Sequence, residues 1–210
     1  LEILRNGEQI VNESMGLIRD FTIKNAKVGT YEVRVQAANL SGRSDVAAHT
    51  FQVQDTYNVS FDPRGGSGAP ESMTQVLGRA VTLPEVTPVR EGYVFLGWTE
   101  EQTGNFAVYK PGSSLVGDGD MTLYAVWKEE NAAAQTLEIS KLPNRTMFLQ
   151  EEELDTAGME LSVYYSDGSG HAVTDGYTLE GFSSAELGNV TVSVLCEGLT
   201  AQFDVQIVSY

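Results

Sequence analysis

Cysteine is nearly absent from this chain of 210 residues: the one thiol is Cys196, so no disulfide can close within it and packing must supply its stability. Histidine is almost as scarce. His49 and His171 fall in different stretches, whereas a nucleophilic triad needs nucleophile, imidazole base and orienting carboxylate converged on one point. No HExxH, GxSxG, CxxC or glycine-rich loop ending in Gly-Lys-Ser/Thr occurs, which leaves zinc-protease, serine-hydrolase, thiol-redox and nucleotide chemistry without their signals. Positive charge is short as well, with 13 Lys and Arg against 29 Asp and Glu and a net charge of −16. That balance excludes the clustered basic surface that nucleic acid requires, and electrostatic attachment to anionic lipid. No apolar run approaches the roughly 20 residues of a membrane-spanning helix. The opening LEILRNGEQI reads as strand rather than secretory leader, as in a mature portion or fragment of a longer chain.

What is present is ordinary globular material, 41% hydrophobic and 20% charged, with 21 glycines and strand formers spread along the whole length. This composition points to an all-β, modular chain. The charge is uneven. Residues 1–55 hold six basic and seven acidic groups, residues 56–128 five and eight, and residues 129–210 two and fourteen. The last third is therefore an acidic, self-repelling, soluble body.

In residues 1–55, Asn6-Gly7 between apolar runs signals a type I′ hairpin, because both positions tolerate positive φ. Phe21 and Ile23 read as the next strand. Tyr31, Val33, Val35 and Ala37 then alternate on one face, and Phe51 and Val53 close a last strand. The run KVGTYEVRVQAANLSGRS resembles the end of a fibronectin type III domain, in which a tyrosine anchors a corner through its hydroxyl. Tyr31 occupies that position. The resemblance covers the second half of such a domain, whose first strands would lie before Leu1. An immunoglobulin-like sandwich of another subtype is the alternative.

Residues 56–128 open YNVSFDPRGGSGAP, continue VTLPEVTPVREGYVFLGW and close on LYAVW. This order of turns, strands and spaced tryptophans resembles the Listeria–Bacteroides (internalin B-type) repeat of bacterial surface proteins. The resemblance implies a compact, β-grasp-like fold. Tyr93, Phe95 and Gly97 share one face of a strand with Trp98 at its end, and Leu123, Ala125 and Trp127 form the closing strand. KEENAAAQT supplies a linker, 129–135. From about residue 136 to 210 the chain resembles a group-3 bacterial immunoglobulin-like domain. Its landmarks stand here as Lys141-Leu142-Pro143, the Gly158 turn and Tyr165-Ser166-Asp167-Gly168, with a closing hairpin turning at Glu197-Gly198.

These resemblances imply a non-catalytic region of an extracellular bacterial surface or secreted protein, monomeric within a longer chain, serving as stalk or spacer and in adhesion to a protein or glycan. The alternative is a set of accessory modules of a larger secreted glycan-active enzyme or protease. No catalytic residue, metal ligand or cofactor is expected. Cys196 continues the apolar alternation of Val190, Val192 and Val194, so it reads as core, and both histidines read as surface residues. Trp98 and Trp127 read as core too. Tyr109, which precedes a turn, and Tyr124, which points away from Leu123 and Ala125, are the exposed aromatics expected to contact a ligand.

Overall fold

A computed structural model of the chain describes residues 1–16 and 20–209. The described residues are all-β, and their twenty strands form three successive units.

The first unit holds β1 (Glu2–Arg5), β2 (Glu8–Asn12), β3 (Gly29–Val35), β4 (Ala38–Asn39), β5 (Gly42–Arg43) and β6 (Ala47–Val53). Asn6 at φ 52° and Gly7 at φ 83° make the β1–β2 hairpin, as the Asn-Gly pair dictates. The main sheet runs β2-β1-β3-β6, and β4 and β5 form a small ribbon beside it. One face carries the Arg34–Glu32 and Arg34–Glu2 ion pairs. Ile3, facing Val33 and Val11, and Tyr31, stacked on Phe51 at 5.5 Å, form the apolar face. The Tyr31 hydroxyl donates to the Lys27 carbonyl at 2.8 Å, the corner expected of that tyrosine. Phe21 and Ile23 do not form a strand. Only two apolar residues alternate before Asn25 turns at φ 54°, so the stretch is loop with Phe21 exposed.

The second unit holds β7 (Thr56–Asp62), β8 (Met73–Val76), β9 (Ala80–Thr82), β10 (Tyr93–Thr99), β11 (Phe106–Ala107), β12 (Ser114–Val116) and β13 (Met121–Glu129). Its mixed sheet runs β10-β13-β7-β8 with the central β13–β7 pair parallel, while β9 and β12 form a separate ribbon. Trp98 is fully buried, edge-on to Phe61 at 5.1 Å and to Phe95 at 5.0 Å, and Phe95 packs on Trp127. Trp127 Nε1 donates to the Pro63 carbonyl at 2.9 Å, and its ring lies over Gly66 so closely that a Cβ there would sit 2.6 Å from Cζ2. A β-bulge between Phe95 and Gly97 corrects the simple alternation. The inserted residue returns Trp98 to the face of Phe95 and sends Leu96 outward, where it packs against the core of the third unit.

The third unit holds β14 (Ala134–Lys141), β15 (Met147–Leu149), β16 (Glu160–Tyr165), β17 (Gly170–Val173), β18 (Thr178–Glu180), β19 (Gly188–Cys196) and β20 (Leu199–Val208). Sheets β11-β17-β16-β14, whose edge strand β11 comes from the second unit, and β15-β20-β19-β18 enclose Phe148, Val163, Val192, Val194, Phe203 and Ile207. The β19–β20 hairpin is an unbroken ladder from Gly188 opposite Ile207 to Cys196 opposite Leu199, turning at Glu197 (φ 49°) and Gly198 (φ 77°). Cys196 is buried at its end, and burial raises the thiol pKa. The stretch 129–135 is no spacer. β13 runs through Glu129, a turn closes with the Ala132 N–H donating to the Glu129 carbonyl, and β14 begins at Ala134.

Candidate functional site: the aromatic residues and the module junction

Tyr109 and Tyr124 are half-buried rather than exposed, Tyr109 because the loop after β10 folds back onto Trp98 and Tyr124 because Arg64 covers its ring. The Tyr109 backbone bridges to Trp98, its ring joins the core of the second unit, and its hydroxyl donates to Glu100 Oε1 at 2.6 Å. That hydrogen bond, then burial, pushes its pKa up to about 12. Tyr124 lies on β13 beneath the Arg64 guanidinium, 5.2 Å from the ring centroid. Arg64 also donates to the carbonyls of Glu101 and Gly104, pinning the loop between β10 and β11. Among the described residues no ring contact joins the two tyrosines, so each is an anchored side chain and not half of a stacking platform.

The denser cluster of polar groups lies where the second and third units meet, and no motif in the sequence points to it. β11 pairs in parallel with β17, placing Phe106 beside Gly170 and Ala107 beside His171. Gly170 donates its N–H to the Asn105 carbonyl at 2.9 Å, and Asn105 Nδ2 donates to the Gly168 carbonyl at 2.9 Å. Phe106 meets Tyr164 at 5.5 Å. The Asp167 carboxylate accepts the Glu129 N–H at 2.6 Å and the Ser169 N–H and hydroxyl. Although burial opposes it, these bonds hold the Asp167 pKa below its usual range. Lys110 pairs with Asp175 at 3.2 Å, and the Lys128 ammonium sits over the Tyr165 ring.

His171 is therefore not a surface residue. Its side chain is 12% exposed, with Nδ1 3.4 Å from the Tyr165 hydroxyl and Nε2 3.6 Å from Glu197 Oε1. The Tyr165 hydroxyl donates to both Glu197 oxygens, and burial with that carboxylate raises its pKa well above the ordinary tyrosine value. Burial lowers the His171 pKa, with Lys110 adding to the effect and Glu197 and Asp175 opposing it. Imidazole, phenol and carboxylate are in mutual contact, yet they are aligned with one another and with the neighbouring unit. Among the described residues no group of three or more His, Cys, Asp or Glu is placed to hold a metal ion.

Comparison with known families agrees with this architecture. Residues 57–126 match the Listeria-Bacteroides repeat domain, and residues 143–207 match the bacterial Ig-like domain of group 3. The chain carries a Listeria-Bacteroides repeat followed by a bacterial Ig-like domain. Two relatives come from Evansella cellulosilytica. One, named as a Gly-rich membrane protein, is 32% identical over 110 residues, which is 47% of this chain and 13% of the relative. The other, named as a membrane protein, is 29% identical over 90 residues, 41% of this chain and 14% of the relative. The chain thus spans about one seventh of the length of either. The repeat and the Ig-like domain are modules of the kind carried by bacterial surface-associated proteins.

Proposed function

We propose that this region is a non-catalytic spacer of an extracellular bacterial surface protein, holding other parts of that protein at a set distance and orientation. The observation that carries this reading is the use made of the polar groups at the junction. Asp167, Asp175, Lys110 and Lys128 all tie the repeat to the Ig-like domain, and Glu197, Tyr165 and His171 satisfy one another just behind them. Side chains so engaged set geometry, and a reacting substrate would find them already occupied.

Adhesion is a second role for the same region, with a protein or glycan as the ligand. It is favoured by the partial exposure of Tyr109 and Tyr124. An array of glycans and matrix proteins, probed with the whole 210-residue chain, separates the two roles. A pure spacer gives no saturable binding. Saturable binding that Tyr109→Ala and Tyr124→Ala both abolish, with the fold intact by circular dichroism, establishes adhesion through these residues. Turnover of cell-wall or host glycans by the chain overturns the non-catalytic reading.

A further inference from the structure

The segment 105–109 is hydrogen-bonded along both of its edges, to a different module on each side. Toward the repeat, Trp98 N–H donates to the Tyr109 carbonyl at 2.7 Å, and Val108 and Tyr109 N–H donate to the Trp98 carbonyl at 2.9 and 3.0 Å. Toward the Ig-like domain, Phe106 and Ala107 pair with Gly170 and His171 of β17. Two glycines make this possible. At Gly97, which has φ 145°, a Cβ would lie 2.6 Å from the Tyr109 carbonyl oxygen. At Gly170 a Cβ would lie 2.9 Å from Phe106 Cδ2. Each glycine leaves the space through which the segment passes.

An edge strand of a sandwich presents unpaired N–H and C=O groups, and proteins cover such edges because they recruit foreign strands. Here the strand that covers β17 comes from the repeat. We propose that residues 105–109 act as a donated edge strand, so that β11 of the repeat completes a sheet of the Ig-like domain while a bridge from Tyr109 to Trp98 holds it to the repeat, and the two modules fold as one cooperative unit and form a single rigid element of the protein. The partner that the β17 edge is built to accept is this extended segment, presented in cis. Leu96 reinforces the joint, because the bulge in β10 delivers it to the Ig-like core. Phe106 on Tyr164 and Lys110 on Asp175 close it on either side. The inference concerns the mechanics of the junction and stands whether or not the region binds a ligand.

The chain contains its own pair of reporters. Both tryptophans, Trp98 and Trp127, lie in the repeat, and the lone thiol, Cys196, is buried in the Ig-like core. Urea unfolding of the whole chain is followed by tryptophan fluorescence and, in parallel, by pulsed labelling of Cys196 with a thiol reagent. One cooperative unit gives coincident transitions for the two probes. Phe106→Asp, which removes the stack on Tyr164 and sets a charge at the shared edge, separates them. It raises Cys196 labelling under native conditions by at least about tenfold, corresponding to about 1.4 kcal/mol. Should Phe106→Asp fail to fold, Asn105→Ala removes the Gly168 contact without touching either core, and the same separation is expected in smaller degree. Wild-type transitions that are already separate, or junction variants that leave both midpoints unchanged, overturn the proposal.

Discussion

Replacing Gly97 with alanine tests the packing of the second module where two backbone segments approach closely. The backbone there has φ 145°, a region L-residues rarely adopt, and the added Cβ would lie 2.6 Å from the Tyr109 carbonyl oxygen and 3.1 Å from Ala107 Cβ. Holding a non-glycine residue in such a conformation costs on the order of 1–3 kcal/mol. The obstructing atom is backbone and cannot swing aside. If it retreats, the 2.7 Å bond it accepts from Trp98 N–H weakens, adding about 1 kcal/mol. The sum is about 2–4 kcal/mol. For a unit of the size formed by repeat and Ig-like domain, that lowers the thermal midpoint by about 5–15 °C. The assay is thermal unfolding followed by tryptophan fluorescence. Gly119→Ala is the control, because a Cβ there would meet no heavy atom within 4 Å and the backbone φ is not positive. Its midpoint should stay within about 2 °C of wild type. If Gly97→Ala melts with the control, the close approach of segment 107–109 to β10 is not what holds this part of the fold.

Acidification should weaken the junction through His171. Its folded pKa is lowered, so its contribution to stability is complete above the unfolded value near 6.5 and is lost as pH falls from there through the folded pKa. The urea midpoint should therefore decline as pH falls below about 6.5, and His171→Gln should flatten that decline. Tyr109 should ionise near 12, and Glu100→Gln should bring it back toward 10, as read by ultraviolet absorbance of the phenolate. A Tyr109 titration unmoved by Glu100→Gln would deny the hydrogen bond between them. In the first module, Tyr31→Phe removes the bond to the Lys27 carbonyl and should cost about 1 kcal/mol. Faster amide exchange along β3 is the measurement, and unchanged exchange would count against the corner.

The local devices are legible in the sequence because each is written in adjacent residues. Asn6-Gly7 dictates its hairpin, Glu197-Gly198 sits between two strictly alternating runs, and Tyr31 falls at the corner position. The two tryptophans also stand where the pattern puts them, in the core. Features made by residues far apart are not legible in this way. Nothing near Leu96 announces a bulge, so simple alternation puts Gly97 on the face of Phe95 when the inserted residue brings Trp98 there. His171, Tyr109 and Tyr124 read as exposed because their covers come from elsewhere: Glu197, the fold-back onto Trp98, and Arg64. The expected linker shortens to a turn at 130–133 because β13 continues through Glu129, whose N–H is claimed by Asp167 of the next module, and β14 begins at Ala134.

The two joints of the chain are built on opposite principles, and charge gives a reason. Between β6 and β7 only Gln54 and Asp55 intervene, and among the described residues no ion pair links the first module to the repeat. The second joint is crossed by a strand pairing, backbone and side-chain hydrogen bonds, an aromatic contact and an ion pair. Residues 129–210 contain only two basic residues, Lys141 and Arg145, against fourteen acidic ones. Both are engaged within the domain, with Glu160 and Glu152. The cations at its junction face must therefore come from outside, and the repeat supplies them: Lys110 to Asp175, and Lys128 over the Tyr165 ring. The first module, nearly neutral, has its own ion pairs on its polar face and makes no such demand. An acidic sandwich with an open β17 edge lacks both a strand and positive charge, and the repeat presents the two together from one side.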